Sequence, residues 1–336
     1  MTMTMTVSRI ELASGFTVSA QGFGGMALTE VYGGLDESQA LATLNHAVDI
    51  GVTFIDTADI YGAGSNEALI SQLLRHRRDE VEVATKFGLI GSPSQGYSGI
   101  RGDARYVRDA ADASLSQLGT DAIDLYYMHR RDTRVPIEET VGAMAELVTA
   151  GKVRHLGLSE VTADELQAAH AVHPIAAVQS EWSIWSRDVE TFVVPMAAQL
   201  GVGFVPYSPL GRGFLTGTVQ AATLGDGDFR HRVPRFATDA LTANAAVVEA
   251  VQAVAADTGA TAAQVALAWL AAQGRRFGLP VVPIPGTRKP ERVEENAGAT
   301  AVVLSAAHLD VLDGAAALVV GDRSADRSWV SQGREA

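Results

Sequence analysis

The chain has 336 residues, 47% of them hydrophobic, a size that fits two ordinary domains or one α/β barrel. Its formal net charge of −13 argues against general binding to nucleic acid or anionic membranes, because both attract an excess of positive charge. Cysteine is absent, which excludes disulfides, thiolate nucleophiles and cysteine-bound metal centres.

The N-terminal region predicts a small sheet ahead of the main fold. The first six residues contain neither a basic segment nor an apolar signal core, and no apolar run reaches the length of a membrane span. We therefore expect a cytoplasmic protein. Two β-type runs, 8–12 and 16–18, flank Ala13-Ser14-Gly15 and predict a hairpin that would plug the bottom of a barrel.

Short β-type runs then alternate with helical stretches along the chain. Helix starts are marked by capping residues at Asp36, Thr162 and Thr261. Eight such repeats without a linker between halves predict a single (β/α)8 TIM barrel domain over residues 1–336. The predicted strands span residues 20–24, 53–56, 81–86, 123–129, 153–159, 177–181, 203–207 and 281–285.

Two long glycine-rich connections, 88–102 and 211–238, follow the third and seventh predicted strands. Barrel active sites lie at the C-terminal ends of strands, so these segments predict long loops at the mouth. A doubly wound dinucleotide fold is disfavoured. Residues 22–26 (GFGGM) lack the third glycine of its fingerprint and do not lead into a helix.

Four titratable residues are predicted to meet at this mouth. Asp56 ends the second strand, Lys86 the third and His129 the fourth, and Tyr61 follows the second. Each alone has an ordinary structural alternative, but their shared placement at strand ends favours a catalytic site. We expect Asp56 to keep Lys86 charged, and Lys86 to make the Tyr61 phenol a better proton donor. His129 would orient a carbonyl oxygen or relay the proton. Because none of these groups is a reductant, the site implies a cofactor.

The chain resembles the aldo-keto reductase superfamily over nearly its whole length. The matching segments are residues 51–62 (GVTFIDTADIYG), 84–88 (ATKFG), 124–129 (DLYYMH), 151–159 (GKVRHLGLS), 207–213 (YSPLGRG) and 284–287 (IPGT). The resemblance implies a catalytic tetrad of Asp56, Tyr61, Lys86 and His129. In it, Tyr61 acts as general acid in carbonyl reduction and as base in alcohol oxidation. It also implies the reductant, NADPH or NADH, bound in an extended form at the barrel mouth.

The resemblance implies specific cofactor contacts. Tyr207 would stack on the nicotinamide, and Ser159 and Gln179 would bind its carboxamide. Glu160 stands where the family commonly has asparagine. A carboxylate accepts hydrogen bonds but donates none, so nicotinamide affinity is the property affected. The pyrophosphate would bind to a segment with two glycines that is composed of Ser208, Pro209, Leu210, Gly211, Arg212 and Gly213.

The remaining cofactor predictions concern the adenosine end of the cofactor and a loop that would close over it. Thr287, Arg288 and Arg292 match the region that binds the 2′-phosphate, so NADP is expected and NAD is less favoured. Glu295 and Asn296 would contact the adenine. The loop after the seventh strand would close over the cofactor with help from Arg230, Arg232 or Arg235. Further predicted contacts are Gly25, Met26, Asp56, Ile284 and Gly286.

The leading prediction is therefore an NADP-dependent reductase of an aldehyde or ketone, without a metal. Substrate-lining candidates are Met26, Tyr32, Phe87 and Trp182. Two alternatives remain open at this point, namely NAD-dependent oxidation of an alcohol and a cofactor-sensing regulatory subunit. The sequence leaves the natural substrate and the oligomeric state open.

Overall fold

The computed structural model describes residues 6–92, 96–219, 224–225 and 228–335. Seven strands form one parallel sheet in the order β11-β10-β9-β8-β5-β4-β3, and two antiparallel hairpins, β1-β2 and β6-β7, lie outside it. The strands are β1 Arg9–Ala13, β2 Phe16–Ser19, β3 Phe23–Gly24, β4 Phe54–Asp56, β5 Glu82–Phe87, β6 Leu89–Ser92, β7 Gly96–Ile100, β8 Ile123–Met128, β9 Val153–Ser159, β10 Ile175–Glu181 and β11 Gly203–Tyr207.

Helices alternate with these strands and pack against the outside of the sheet. The predicted caps are confirmed. Asp36 accepts a hydrogen bond from the Gln39 amide, and Thr162 and Thr261 each form a complete capping box. The helices are α1 Glu37–Asp49, α2 Ser65–Arg77, α3 Ala104–Leu118, α4 Ile137–Thr149, α5 Ala163–Val172, α6 Val193–Leu200, α7 Thr238–Ala243, α8 Ala245–Thr258, α9 Ala262–Phe277, α10 Pro290–Ala297 and α11 Ala306–Ala316.

The eighth predicted strand, residues 281–285, closes the sheet into a barrel without forming a full ladder. On one side, the amides of Val282 and Ile284 donate to the carbonyls of Phe204 and Pro206. On the other side, the amides of Gly22 and Gly24 donate to the carbonyls of residues 283 and 285. Both of those acceptors are prolines, which have no N–H to return, so this seam is bonded in one direction only. The predicted (β/α)8 barrel is confirmed with this irregular eighth segment.

The N-terminal hairpin closes the bottom of the barrel, as predicted. Leu12, Phe16 and Val18 are buried in one cluster with inward-facing residues of the barrel strands. A Cβ on Gly203 would lie 2.4 Å from Leu12 Cδ1, so glycine is required where β11 passes the hairpin. The core therefore has two large parts, one inside the barrel and one between the barrel and its helices.

The two long connections differ from simple loops. Residues 89–92 and 96–100 pair as the antiparallel hairpin β6-β7, which stands directly after β5. The later connection contains short 3₁₀ turns at Gly211–Thr216, Phe229–Arg232 and Pro234–Phe236, and residues 220–223 and 226–227 lie outside the described part. Both connections follow strand C-termini, so both lie at the barrel mouth.

Candidate active site

The four predicted catalytic residues come together at the C-terminal end of the barrel. Asp56 ends β4, Lys86 is the last residue but one of β5, and His129 directly follows β8. In the parallel register Asp56 lies opposite Ala84 and Lys86 opposite Tyr127, which sets these strand ends at one level. Asp56, Lys86 and His129 are buried, and Tyr61 is partly buried in the turn after β4.

Lys86 is the centre of this group. Its ammonium is ion-paired with Asp56 Oδ1 and donates to the carbonyl of Thr57 at 2.7 Å. Gln179 Nε2 binds the second carboxylate oxygen of Asp56 at 2.8 Å. Burial raises the pKa of Asp56 and lowers the pKa of Lys86, and the attraction between the two opposes both shifts. These bonds use two of the three ammonium donors and leave one for a further partner.

The electrostatics of Tyr61 differ from the prediction. Lys86 Nζ lies 5.1 Å from the centroid of the Tyr61 ring. Burial, and then the charge of Asp56, raise the pKa of the Tyr61 phenol well above its ordinary value, although Arg130 opposes the change. The expectation of a more acidic phenol is therefore wrong for the net pKa, because burial and Asp56 outweigh Arg130. Stabilisation of the phenolate by Lys86 stays a prediction. Tyr61 remains protonated throughout the ordinary pH range.

His129 faces Tyr61 edge to face, with ring centroids 5.9 Å apart and an interplanar angle of 82°. Burial, together with Arg130 and Lys86, holds the pKa of His129 well below its usual range. The imidazole is therefore neutral and has one donor and one acceptor nitrogen. Within the described part of the chain, its Nδ1 is buried without a hydrogen-bond partner.

Arg130 is a residue of this site that the sequence analysis missed. Its Nη1 donates to the carbonyl of His129 at 2.7 Å and to Ser159 Oγ at 3.2 Å. Its Cζ lies 6.0 Å from the centroid of the Tyr207 ring. The guanidinium thus stands between the tetrad and two residues assigned to the nicotinamide. A basic residue directly after a strand-end histidine was the available signal.

The side chain of Glu160 is committed to contacts within the protein. Its backbone has a φ of 52°, in the left-handed region, and the residue is buried. Its carboxylate accepts from the Tyr207 hydroxyl at 2.8 Å and pairs with Arg323 at 2.9 Å. A role of Glu160 in carboxamide binding stays a prediction that must compete with these bonds.

The segment assigned to the pyrophosphate has an unusual backbone. Positive φ angles occur at Ser208 (48°), Gly211 (57°), Arg212 (56°) and Gly213 (91°). Glycine adopts this region readily, whereas the two other residue types do so at a cost that is common in ligand-binding turns. Turns of this kind direct consecutive N–H groups to one side, where an anion can bind.

The residues assigned to the adenosine end lie after the barrel seam. Arg288 donates to the carbonyls of Ala27, Thr29, Gly33 and Gly34 at 2.5–3.0 Å, so it anchors the loop after β3. The other predicted contacts differ in burial: Ile284, Thr287 and Asn296 are buried, Glu295 is partly buried, and Gly286 and Arg292 are exposed.

Two segments meet above the pyrophosphate turn. The Arg230 guanidinium lies 5.5 Å from the Tyr32 ring centroid and donates to the Arg212 carbonyl at 3.2 Å. This contact joins the loop after β3 to the connection after β11, in the manner expected of a cover. Arg235 has a different location. It is buried, donates to the Gly321 carbonyl at 2.9 Å and packs on Trp185.

The substrate-lining predictions need correction. Phe87 and Trp182 are fully buried in the core between barrel and helices, so neither lines the mouth. Because Lys86 points into the barrel, the next residue of β5 points outward. Of the other two candidates, Met26 and Tyr32 are partly buried in the loop after β3.

Aromatic residues from two other segments stand at the mouth instead. Tyr97 of β7 and Trp329, which lies beyond α11, have ring centroids 5.2 Å apart. Trp329 packs in the same apolar cluster as Tyr61, with Ile60 and Leu89. Neither aromatic residue was predicted from the sequence, because one lies in a segment that was expected to be a loop and the other lies far beyond the last strand.

Comparison with known proteins decides the family. A family model described as the aldo/keto reductase family matches residues 21–317, most of the chain. The chain belongs to the aldo/keto reductase family. It is an NAD(P)H-dependent oxidoreductase of that family, as the sequence predicted. A curated relative named probable aldo-keto reductase 1, from Glycine max, is 44% identical over 319 residues, which cover 94% of this chain and 90% of the relative.

Solved aldo/keto reductase structures share the fold. The glycerol dehydrogenase of Gluconobacter oxydans superposes with a TM-score of 0.83 at 26% identity, covering 95% of this chain and 97% of that one. An aldo-keto reductase of Klebsiella pneumoniae in complex with NADPH gives a TM-score of 0.70 at 28% identity, covering 92% and 95%.

Among the described residues, no group of three or more His, Cys, Asp and Glu side chains is arranged to hold a metal ion. In the same part of the chain, no helix is long and apolar enough to cross a membrane.

Proposed function

We propose that this aldo/keto reductase reduces an aldehyde or ketone to an alcohol, with NADPH as the hydride source and Tyr61 as the proton donor. The observation that carries the proposal is the meeting of Tyr61, Lys86, Asp56 and His129 at one barrel mouth. The NADPH complex of the Klebsiella pneumoniae relative supports the choice of cofactor. In this proposal residues 1–336 form one cytoplasmic catalytic domain that acts on a small carbonyl compound.

The residues present fit such a cofactor. The left-handed backbone of the turn at 208–213 is of the kind that presents N–H groups to an anion, which suits a pyrophosphate. The Tyr207 ring offers a flat face for the nicotinamide. Ser159 Oγ offers an acceptor to a carboxamide, and Arg130 Nε, which is buried without a hydrogen-bond partner in the described part of the chain, offers a donor. Arg130 would thus supply the donor that Glu160 cannot. When bound, NADPH supplies the hydride.

The chain's own groups manage the proton. As the carbonyl carbon receives the hydride, the electron pair of the C=O bond takes the phenolic proton of Tyr61. The resulting phenolate is stabilised by Lys86, whose third ammonium donor is free for it. The neutral His129 orients the carbonyl oxygen. Tyr61 then regains its proton from solvent.

The raised pKa of Tyr61 keeps the phenol in the protonated form that carbonyl reduction uses. Reduction requires the protonated phenol, which this site favours strongly. Alcohol oxidation requires a phenolate as base, and burial disfavours that form. To test the direction, kcat/KM is measured for aldehydes, ketones and the matching alcohols with each cofactor. Faster reduction with NADPH is expected. NADPH binding without turnover of any carbonyl compound would instead indicate a cofactor-sensing regulatory subunit.

The preference for NADP over NAD is assigned to the segment after the barrel seam. Arg292 is exposed on α10, two residues after its first position, where it can reach a 2′-phosphate. We expect Arg292→Ala to lower the NADPH/NADH ratio of kcat/KM by about tenfold or more, because a charged hydrogen bond contributes about 1.5–3 kcal/mol. Arg105→Ala, at an exposed arginine of α3, is the matched control. An unchanged ratio would contradict the assignment.

A further inference from the structure

A buried ion pair joins the end of β9 to the end of the described chain. The guanidinium of Arg323 binds the carboxylate of Glu160 with two parallel bonds, Nη1 to Oε1 and Nη2 to Oε2, each 2.9 Å long. Arg323 Nη2 also donates to Asp188 Oδ2 at 2.9 Å. Parallel charge-assisted bonds are strong and fix geometry as well as distance. They fasten Arg323 to a residue 163 positions earlier.

We name residues 322–335 the C-terminal segment. Two more residues of this segment form hydrogen bonds with Glu160. The Ser331 amide donates to Glu160 Oε2 at 2.9 Å. Arg334 Nη2 donates to the Glu160 carbonyl at 2.5 Å and to Glu165 Oε2 at 3.0 Å. The C-terminal segment is therefore anchored to one residue of the barrel mouth at three places.

Glu160 also holds the aromatic ring assigned to the nicotinamide. The hydroxyl of Tyr207 donates to Glu160 Oε1 at 2.8 Å, and Arg323 Nη1 lies 3.4 Å from the same hydroxyl oxygen. Tyr207 is the last residue of β11, so its backbone is fixed by the barrel. The pair with Arg323 fixes the other end of the side chain, and with it the tilt of the ring.

The acceptor capacity of Glu160 is filled by these contacts. Oε1 receives Arg323, Tyr207 and the Glu181 amide, and Oε2 receives Arg323 and Ser331. A carboxylate has about four acceptor positions, so none remains for a ligand. Burial alone would raise the pKa of Glu160, but Arg323 outweighs it and holds that pKa below its usual range. The carboxylate is therefore ionised and fully used.

We propose that Glu160 and Arg323 form a clasp that couples docking of the C-terminal segment to the position of the Tyr207 ring, and so to nicotinamide binding. This inference rests on the proposed function, in which Tyr207 faces the nicotinamide. Arg323 is then a positioning residue that acts through Glu160 and Tyr207. Because coupling between two sites is reciprocal, NADPH binding must also tighten the C-terminal segment.

Hydrogen exchange and cofactor affinity test the clasp in the full-length protein. In the wild type, NADPH is expected to slow exchange of the Ser331 amide. Arg323→Met should abolish that NADPH effect and raise the Kd for NADPH about tenfold, as expected for a coupling of about 1–3 kcal/mol. The matched control is Arg327→Met, in the same segment, since Arg327 pairs with Asp322 at the surface. It should change neither measurement.

A second variant separates positioning from folding. Arg323→Met alone leaves the carboxylates of Glu160 and Asp188 without their cation, which destabilises, whereas neutralising the fully buried Glu160 at the same time removes the larger part of that cost. The double variant Glu160→Gln/Arg323→Met should therefore melt closer to the wild type and still bind NADPH weakly, without protection of Ser331. A folded double variant with wild-type Kd and NADPH-dependent protection would overturn the clasp. A wild type that binds no NADPH would overturn the proposed function itself.

Discussion

The ammonium of Lys86 lies over the ring of Tyr61, with Nζ 5.1 Å from the ring centroid. The same ammonium is also held by Asp56 and the Thr57 carbonyl. Asp56 and Tyr61 are five residues apart in the chain, and the lysine from the next strand connects them. Proton donation by Tyr61 therefore depends on a cation that the barrel, rather than the local sequence, puts in place.

Replacing Tyr61 by phenylalanine tests the proton donor. The change removes the phenolic proton and keeps the ring that packs beside Ile60 and Leu89. We expect kcat for carbonyl reduction to fall by about 10²–10⁴-fold, the usual contribution of a positioned general acid. The Kd for NADPH, measured by fluorescence titration, should stay near the wild-type value. Full carbonyl reduction by Tyr61→Phe would rule out this mechanism.

Replacing Lys86 by methionine should cost stability as well as activity. It leaves the buried carboxylate of Asp56 without its cation, a change that typically costs about 3–5 kcal/mol. The free energy of unfolding is obtained from urea titration. Lys152→Met is the control, because Lys152 pairs with Asp112 at the surface and such pairs contribute about 0–1 kcal/mol. Equal effects of the two substitutions would contradict the buried pair.

The N–H groups of the Arg130 guanidinium are expected to increase the rate of hydride transfer by positioning the nicotinamide. Arg130→Met removes the donor beside Ser159 and a cation that opposes the raised pKa of Tyr61. We expect kcat/KM to fall about 10–100-fold, as for loss of a charged hydrogen bond. With NADPH that carries deuterium on one face of the nicotinamide ring, hydride transfer should also lose its preference for that face. Arg130→Lys keeps the positive charge and should recover only part of the lost kcat/KM. Arg134→Met, at a side chain 72% exposed, serves as control.

Asp59 gives the free energy of unfolding a defined pH dependence. Burial, and then the charge of Glu67, raise the pKa of Asp59 from 3.8 to about 8. The folded state therefore keeps a proton that the unfolded chain loses above about pH 4. The stability due to this group is fully present below pH 4 and declines until about pH 8, by at most about 1.4 kcal/mol per pH unit.

The substitution Asp59→Asn should remove that contribution. The difference in free energy of unfolding between wild type and variant, measured by urea titration from pH 4 to 8, isolates Asp59 from the other carboxyl groups. Relative to the variant, the wild type should lose stability as the pH rises. A difference that is constant across this range would show that Asp59 titrates normally.

Gly203→Ala tests the closed bottom of the barrel. The added methyl group would lie 2.4 Å from both Cδ1 and the carbonyl oxygen of Leu12, so the hairpin must shift. Overpacking of this kind typically costs about 1–3 kcal/mol. Gly142→Ala is the matched control, since its added Cβ meets nothing within 4 Å on α4. That change should stabilise by about 0.5–1 kcal/mol. The two variants should therefore move the melting temperature in opposite directions.

The sequence was sufficient to predict the tetrad because parallel strands bring their C-terminal ends to one level. Asp56, Lys86 and His129 each follow an apolar run, so counting strands was enough to place them together. The orientation of single side chains was harder to predict. Phe87 follows Lys86 and points outward, a consequence of β alternation that the aromatic character of the residue obscured.

Ion pairs between residues far apart in the chain could not be predicted from the sequence. Glu160 and Arg323 are 163 positions apart, and neither residue signals the other. The hairpin β6-β7 was missed because glycine and serine dominate its sequence, and these residues indicate a loop. The pKa of Tyr61 was predicted in the wrong direction because the sequence shows the neighbouring charges but not the extent of burial.

The one-directional seam at residues 281–285 has a consequence for synthesis of the protein. The amides of Gly22 and Gly24 have no acceptor until Pro283 and Pro285 have been synthesised, long after β3 itself. Until that segment leaves the ribosome, the edges formed by β3 and β11 remain unpaired. Between the synthesis of β11 and that of residues 281–285 the nascent chain can therefore form only an open sheet, the stage at which a chaperone that shields strand edges has most to protect.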